Sequence, residues 1–154
     1  MKTIVRADFA KALEVLLMET FESAPLAEGG VYLDREIGMF STLEKISATD
    51  ASLSINDTSI AAHTEHARFY LDILNKYLHS KAEFVNWNNS WRVKTVDEDE
   101  WEDLKLRLAE NYREVCESVE KNENWDVNLI TVALGMITHS AYHLGAIRQM
   151  IKQI

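Results

Sequence analysis

Apolar residues recur every three or four positions along most of the chain, and this spacing predicts helices rather than strands. The first predicted helix spans residues 7–23, and Pro25 with Gly29-Gly30 ends it. A shorter helix is predicted over residues 34–47, with Asp34 as its cap. The first third of the chain therefore reads as one long helix followed by one short helix.

Three further long helices are predicted in the rest of the chain. A polar, serine-rich connector over residues 48–56 leads to the second long helix, predicted over about 57–78. The third follows a capping-box pattern at Thr95–Glu98, and the fourth is predicted over about 124–152. The positions predicted to face inward are Ile60, His63, Ala67, Tyr70, Leu74 and Tyr77 on the second long helix, Trp101, Leu104, Leu108, Tyr112, Val115 and Val119 on the third, and Val132, Met136, His139, His143, Ala146 and Met150 on the fourth.

Composition agrees with an all-α fold. The 154 residues are 47% hydrophobic but include only five glycines and one proline, so a core is available while turn chemistry for a sheet is scarce. Four long helices, with an additional short helix between the first and second of them, predict a four-helix bundle. The chain shows no linker, repeat or low-complexity tract, so residues 1–154 are predicted to form a single domain.

The stretch Val127–Ile147 contains no Asp, Glu, Lys or Arg and is long enough for a membrane span. It also contains asparagine, threonine, serine, tyrosine and two histidines, and no second segment could pair with it in a bilayer. We therefore predict that it is the central, buried helix of a soluble bundle, with no membrane partner.

The net charge and the cysteine content of the chain limit the functions and the compartment that can be expected for it. The net charge is −9, with 25 acidic and 16 basic residues, and an acidic surface repels nucleic-acid backbones. The one cysteine, Cys116, cannot form an internal disulfide and fits a reducing compartment. It lies in an acidic helix, so we interpret it as a packing residue rather than a nucleophile. The N-terminus shows no signal peptide, and a cytoplasmic protein is expected.

Two pairs of histidines carry the most specific chemistry in the sequence. His139 and His143 are four residues apart in the uncharged stretch, and His63 and His66 are three residues apart in the second long helix. Both spacings place the two rings on one side of a helix, where their nitrogens can share a metal ion. If the two helices face each other, His63 completes a three-histidine site that leaves one coordination position for water or substrate.

A simpler interpretation also fits the histidine pairs. A histidine on an apolar face is commonly a hydrogen-bonded core residue, and one pair at a spacing of four is only moderately specific for metal. The chain lacks the His-Glu-x-x-His and Glu-x-x-His patterns of other metal scaffolds. A three-histidine metal site and a core without metal both stay open on the pattern alone.

Aromatic residues near the histidines have two interpretations as well. Tyr70 and Tyr142 are either donors in a pocket or core residues with a hydrogen-bonded hydroxyl. Trp87 and Trp91 lie in a long connection and either line the mouth of a site or anchor the connection to the core. The second interpretation is favoured for all four residues.

Residues Ser59–Leu71 (SIAAHTEHARFYL) and His139–Gln149 (HSAYHLGAIRQ) resemble the two motifs of the DinB-like superfamily. The resemblance covers the whole chain in length and helix order, and its specificity lies in the two histidine helices. It implies a four-helix bundle of unusual connectivity that is often paired into homodimers.

The resemblance also implies a metal and a class of reaction. By motif position the ligands of one divalent ion, zinc or nickel, would be His63, His139 and His143, with His66 as the alternative to His63. Superfamily activities include transfer and isomerisation reactions that use a low-molecular-weight thiol, and hydrolysis. The expected function is a metal-dependent S-transferase or hydrolase acting on a small molecule, and the alternative is a non-catalytic helical domain that binds a ligand or partner.

Overall fold

The computed structural model describes residues 6–23, 30–79 and 85–154. Within these ranges the chain forms helices and no strand, so the predicted all-α class is confirmed. The elements are α1 (Arg6–Phe21), α2 (Met39–Leu43), α3 (Ala48–Ala51), α4 (Ile60–Leu78), the 3-10 helix η1 (Trp87–Trp91), α5 (Glu98–Lys121) and α6 (Val127–Ile151).

Helix α4 is the most enclosed of these elements. It packs against α3, η1, α5 and α6, and α1 also packs against α5 and α6. Every residue of α4 from Ile60 to Ala67 is buried. The hydroxyl of Ser59 caps the helix by accepting a hydrogen bond from the amide of Ala62 at 3.1 Å. The first two turns of α4 are therefore covered on all sides.

Helix α6 is not the central helix that its lack of charge predicted. One face is exposed, with relative exposures of 74% at Val127, 44% at Leu134 and 67% at Tyr142. The opposite face is buried through Ala133, Met136, Ile137, Ser140, His143, Leu144, Ile147 and Met150. The prediction failed because small and uncharged polar residues can face solvent, so an uncharged helix need not be a buried one. By length and composition alone α6 could cross a membrane, but the core helix of a soluble protein meets the same weak criterion.

The inward stripe predicted for α5 is confirmed. All six of its residues are buried, and the indole Nε1 of Trp101 donates a hydrogen bond to the carbonyl of Ile46 at 2.8 Å. The capping box lies two residues later than the Thr95–Glu98 pattern predicted, because Asp97 and Glu100 exchange the two capping hydrogen bonds. The apolar periodicity of α5 thus located its buried face correctly, while the local capping pattern was ambiguous.

The region between α1 and α4 differs most from the prediction. Helix α2 is shorter than the helix predicted over 34–47, and Asp34 is not its cap. Glu36 has a φ of 61°, a left-handed conformation that interrupts a helix, and Gly38 is the extended residue before α2. Helix α3 lies inside the segment 48–56 that was predicted to be a connector. Local backbone geometry thus shortens the predicted helix, and a second short helix forms where a connector was predicted.

Two helix ends also differ from the predictions. Helix α1 ends at Phe21, and the stop signals predicted at Pro25 and Gly29 lie outside the described residues. Helix α4 begins later than predicted because Asn56 and Asp57, with φ values of 51° and 65°, form a turn. Helix α4 therefore begins only after this turn, where Ser59 caps it.

Two further details concern the ends of α6 and α4. Helix α6 is capped by Asp126, which accepts from the amide of Leu129 at 2.8 Å, close to the start predicted at about residue 124. Tyr77, predicted to face inward from α4, is 38% exposed. The last turn of α4 therefore reaches beyond the elements that enclose its beginning.

The carboxylate of Glu19 fixes the segment that follows α1. Glu19 is fully buried, and its two oxygens accept hydrogen bonds from the amides of Val31, Tyr32 and Leu33 at 2.8, 2.8 and 2.6 Å. A Cβ at Gly30 would lie 2.0 Å from Glu19 Oε1, so glycine is required there. Both oxygens of this buried carboxylate bind backbone amides, so Glu19 has a structural role.

We expect Gly135→Ala and Gly145→Ala each to raise the free energy of unfolding by roughly 0.5–1 kcal/mol, as alanine does in an exposed helix. A Cβ at either position meets no atom within 4 Å among the described residues. Chemical denaturation measures the change. Gly38→Ala is the matched control, because its Cβ would lie 2.6 Å from the amide nitrogen of Ser23. It should lower stability by more than about 1 kcal/mol. Unchanged or lower stability in the two α6 variants would contradict the open face described for α6.

Candidate functional site

Four of the five histidines meet where α4 faces α6. His63 and His66 come from the first two turns of α4, and His139 and His143 come from successive turns of α6. The relative exposures of His63, His66 and His143 are 7%, 5% and 1%, and His139 is half-buried. The fifth histidine, His79, lies exposed at the end of α4. The structure thus brings the two predicted pairs into one cluster.

Three of these histidines converge on a common point. One ring nitrogen from each of His66, His139 and His143 lies within 4.8 Å of the other two. Nε2 of His139 is 3.0 Å from Nε2 of His143. These three rings therefore form a compact group of nitrogen donors contributed by two helices.

The hydrogen bond of His66 determines which of its nitrogens is available. Its Nδ1 lies 3.2 Å from the carbonyl oxygen of Ser90 in η1. A carbonyl only accepts, so Nδ1 carries the hydrogen and donates it, which leaves Nε2 with a free lone pair. Histidine ligands of metals are commonly held in this way, with the second nitrogen bonded to a carbonyl.

His63 occupies a different position in the cluster. Its Nδ1 lies 2.7 Å from Nδ1 of His143, while Nε2 of His143 faces His139. Each contact needs one protonated and one bare nitrogen, so a neutral His143 donates on one side and accepts on the other. His63 thus contacts the nitrogen of His143 that lies opposite the convergent group.

Aromatic rings enclose the histidines on two sides. Tyr70 stacks on His139 with ring centroids 3.7 Å apart, and Trp91 stacks on His66 at 4.0 Å. Trp87 contacts Tyr70 at 5.2 Å. Both tryptophans belong to η1 and are partly exposed, so they border the site as well as packing the connection onto α4. The sequence pattern favoured a structural role for these residues, because the path of a long connection through space cannot be predicted from the residues of the connection alone.

Burial keeps the clustered imidazoles neutral. Burial, together with the charges of neighbouring histidines, lowers the pKa of His143 to about 3 and that of His139 to about 4. Burial lowers the pKa of His63 and of His66 as well. Near pH 7 all four rings are therefore neutral, each with one ring nitrogen that carries no hydrogen, and none has to release a proton before binding a metal.

The acid next to His66 is already engaged elsewhere. Both carboxylate oxygens of Glu65 accept hydrogen bonds from the guanidinium of Arg68, at 2.7 and 2.8 Å. Arg68 also donates to Asn111 of α5 at 2.9 Å. This half-buried network ties α4 to α5, so the convergent group consists of neutral nitrogen donors.

The donor set fits a divalent transition-metal ion. Imidazole nitrogen is a ligand for zinc, nickel, copper and iron, and the metal–nitrogen bond is about 2.1 Å long for zinc. Two nitrogens on one such ion therefore lie no more than about 4.2 Å apart. The three convergent nitrogens lie within 4.8 Å of one another, so side-chain shifts of less than about 1 Å suffice.

A cavity of about 620 Å³ adjoins the cluster and has His63, Trp91 and Tyr142 in its wall. A larger cavity, of about 770 Å³, lies at the other end of α4 beside His79 and contains none of the four clustered histidines. Of these two cavities, the smaller one is therefore the one that borders the histidine cluster.

Cys116 takes no part in this site. It is half-buried on α5, and burial raises the pKa of its thiol, an effect that the nearby carboxylates of Glu22 and Glu14 increase. Tyr112 lies beside Cys116 in this separate group, and its hydroxyl donates a hydrogen bond to the carboxylate of Glu22 at 2.8 Å. A thiol with a raised pKa is a poor nucleophile, in agreement with the packing role expected from sequence.

The resemblance to a family rests on the two histidine motifs alone, because comparison with known proteins adds nothing to it. No protein-family model, no curated protein and no solved structure matches the chain. The resemblance to the DinB-like superfamily therefore stays a prediction, and any function has to be argued from the histidine site itself.

We expect the metal-free protein to lose stability as the pH falls from 7 to 5. The pKa of His143 is about 3 in the folded state against an ordinary value of 6.5, so the unfolded chain binds this proton more readily. The stabilisation is complete above pH 6.5 and is lost progressively below it. His143 alone accounts for about 2 kcal/mol between pH 7 and pH 5.

Urea denaturation at pH 7, 6 and 5 measures this loss. His143→Asn should reduce the dependence on pH, whereas the exposed-site control His79→Gln should retain it. Equal pH dependence in the wild type and in His143→Asn would show that burial of this imidazole is not the cause.

Proposed function

We propose that this chain is a divalent-metal-dependent enzyme whose ion is held by His66, His139 and His143 between α4 and α6. The observation that carries the proposal is the convergence of one nitrogen from each of these residues within 4.8 Å. The neutral state of the imidazoles and the bond from His66 to a backbone carbonyl support it. Zinc or nickel is the proposed ion, because both accept imidazole ligands.

The α4 ligand is the point on which motif and geometry differ. The motif resemblance favours His63, and the hydrogen-bond geometry favours His66. In the proposal His63 orients His143: when Nε2 of His143 is the ligand atom, its Nδ1 holds the proton that is shared with Nδ1 of His63 across 2.7 Å. His66 and His63 thus have separate roles that mutation can distinguish.

The proposed reaction is transfer of a low-molecular-weight thiol to an electrophilic small molecule, or hydrolysis of a small molecule. A divalent ion with three neutral ligands keeps its full positive charge and lowers the pKa of a bound thiol or water. The protein residues exclude solvent from this charge: Tyr70 and Trp91 cover two of the rings by stacking on them. The choice of a thiol reaction rests on the resemblance to the DinB-like superfamily.

The arrangement of the chain is part of the same proposal. We propose a DinB-like four-helix bundle formed by α1, α4, α5 and α6, and the packing of α1 and α4 against both α5 and α6 supports it. A cytoplasmic homodimer that acts on a small molecule, without nucleic-acid or membrane partners, completes the proposal. The uncharged, exposed face of α6 supports a contact with a second copy.

A non-catalytic helical domain with core histidines is the alternative function. The observation that favours it is that His63, His143 and His139 satisfy one another's ring nitrogens through contacts of 2.7 and 3.0 Å. This alternative predicts that alanine substitutions in the cluster change stability and leave metal content untouched. Metal analysis therefore separates the two functions.

We expect tag-free protein to contain about one zinc, nickel or other divalent ion per chain when analysed by mass spectrometry. His139→Ala should lose that ion, because it removes one of the convergent nitrogens. His79→Ala is the matched control, since this histidine is exposed and lies outside the cluster. If the wild type binds neither zinc nor nickel after both are added back, the proposal fails and the core-histidine alternative stands.

Parallel variants on α4 identify the third ligand. His66→Ala should abolish metal binding, as His139→Ala does. His63→Ala should bind metal about 10- to 100-fold more weakly yet still reach one ion per chain at saturation, since removing an orienting partner costs that much affinity. The reverse result would assign the α4 ligand to His63, in agreement with the motif.

A further inference from the structure

The cavity of about 620 Å³ beside the histidines has one wall in common with the candidate metal site. His63 lines the cavity and also contacts His143, and Trp91 lines the cavity and also stacks on His66. A molecule inside the cavity is therefore in contact with residues that touch two of the three convergent histidines.

The far wall of this cavity is polar. It is formed by the segment before α4 and the segment before α5, which contribute Ser54, Asp57, Thr58, Lys94 and Thr95. The hydroxyl of Thr58 is buried without a hydrogen-bond partner. Nearer to the histidines the wall is aromatic, with Trp91 and Tyr142. The cavity thus has an aromatic end at the histidines and a polar end away from them.

The polar end contains one acid and one base that do not pair with each other. Among the described residues, neither Asp57 nor Lys94 has an ion pair or a side-chain hydrogen bond. In the larger cavity at the other end of α4, by contrast, Lys76 pairs with Asp72 at 2.8 Å and Lys121 pairs with Glu117 at 3.1 Å. The charges of Asp57 and Lys94 therefore remain available to a ligand, whereas the two lysines of the larger cavity are already paired.

We propose that this cavity binds a small zwitterion, a molecule that carries both a carboxylate and an ammonium group. Lys94 faces the carboxylate, Asp57 faces the ammonium group, and the reactive group of the ligand extends past Trp91 to the histidines. A purely anionic ligand would be repelled by Asp57 and a purely cationic ligand by Lys94, and an apolar ligand would leave both charges unpaired. This inference deepens the proposed function and rests on it, because it assigns the substrate class of the same site.

Three thiols test the inference by deletion of one charge at a time. L-cysteine carries both charges, cysteamine lacks the carboxylate, and 3-mercaptopropionate lacks the ammonium group. Each is titrated into cobalt(II)-loaded protein and followed by the visible absorption of the metal, and the same titrations by calorimetry on metal-free protein report binding to the cavity alone. We expect L-cysteine to bind about three- to tenfold more tightly than either truncated thiol, the usual range for one exposed charge contact.

Two variants assign the contacts. Lys94→Ala should lower the affinity for L-cysteine, whose carboxylate loses its partner, and should not weaken cysteamine, which has no carboxylate and is no longer repelled. Asp57→Asn should lower the affinity for L-cysteine, whose ammonium group loses its partner, and should not weaken 3-mercaptopropionate, which has no ammonium group and is no longer repelled. Lys76→Ala, in the larger cavity, is the matched control and should bind all three thiols as the wild type does.

The outcomes separate this inference from the metal proposal. Equal affinity of the wild type for the three thiols, or equal weakening of all three in Lys94→Ala and Asp57→Asn, would overturn the zwitterion assignment while the metal site stood. Failure to take up cobalt would overturn the metal proposal, and the calorimetric titrations on metal-free protein would still decide whether the two charges select a zwitterion.

Discussion

The exclusion of charge from the space between α4 and α6 is the constraint on which the candidate site depends. Four imidazoles share that space, and each remains neutral because protonating one would place a charge beside the others in a buried environment. The one acid next in sequence to His66 is removed from the site by its double hydrogen bond to Arg68. A group of donors is thereby kept uncharged in a chain whose net charge is −9. That condition suits a metal ion, because a neutral imidazole can donate a ring-nitrogen lone pair without first losing a proton.

The enclosure of α4 gives the site its rigidity. The eight residues from Ile60 to Ala67 are all buried, and both α4 histidines lie within them. Side chains packed on every side have few alternative rotamers, so the nitrogens of His63 and His66 are held in place before any ligand arrives. On α6 the corresponding support comes from one face only, since His139 is half-buried and Tyr142, next to His143, is largely exposed. The site therefore joins one fixed helix to one helix with a free side.

Sequence periodicity predicted the buried face of α5 because charged residues mark its other face without ambiguity. Periodicity did not predict the exposed face of α6, because the threonines and glycines on that face resemble core residues in hydrophobicity. Periodicity also left His66 out of the inward positions of α4, since a pattern that assumes one buried face cannot recognise a helix enclosed on all sides. The spacing of the histidines predicted that each pair lies on one side of its helix, whereas the facing of the two helices is seen only in the structure. The contact with Ser90 and the stacking of Trp91 depend on the path of a connection, which only the packed structure determines.

The hydrogen bond between His66 and Ser90 has a consequence for η1. A ring that binds an ion through Nε2 keeps its hydrogen on Nδ1, so ligation reinforces the bond to the carbonyl instead of competing with it. In a chain that binds such an ion, the order of the short 3-10 helix and the affinity for the ion would be thermodynamically linked, each favouring the other by the same free energy. Amide hydrogens around η1 would exchange with solvent more slowly in the loaded protein than in the empty one, although η1 itself supplies no ligand.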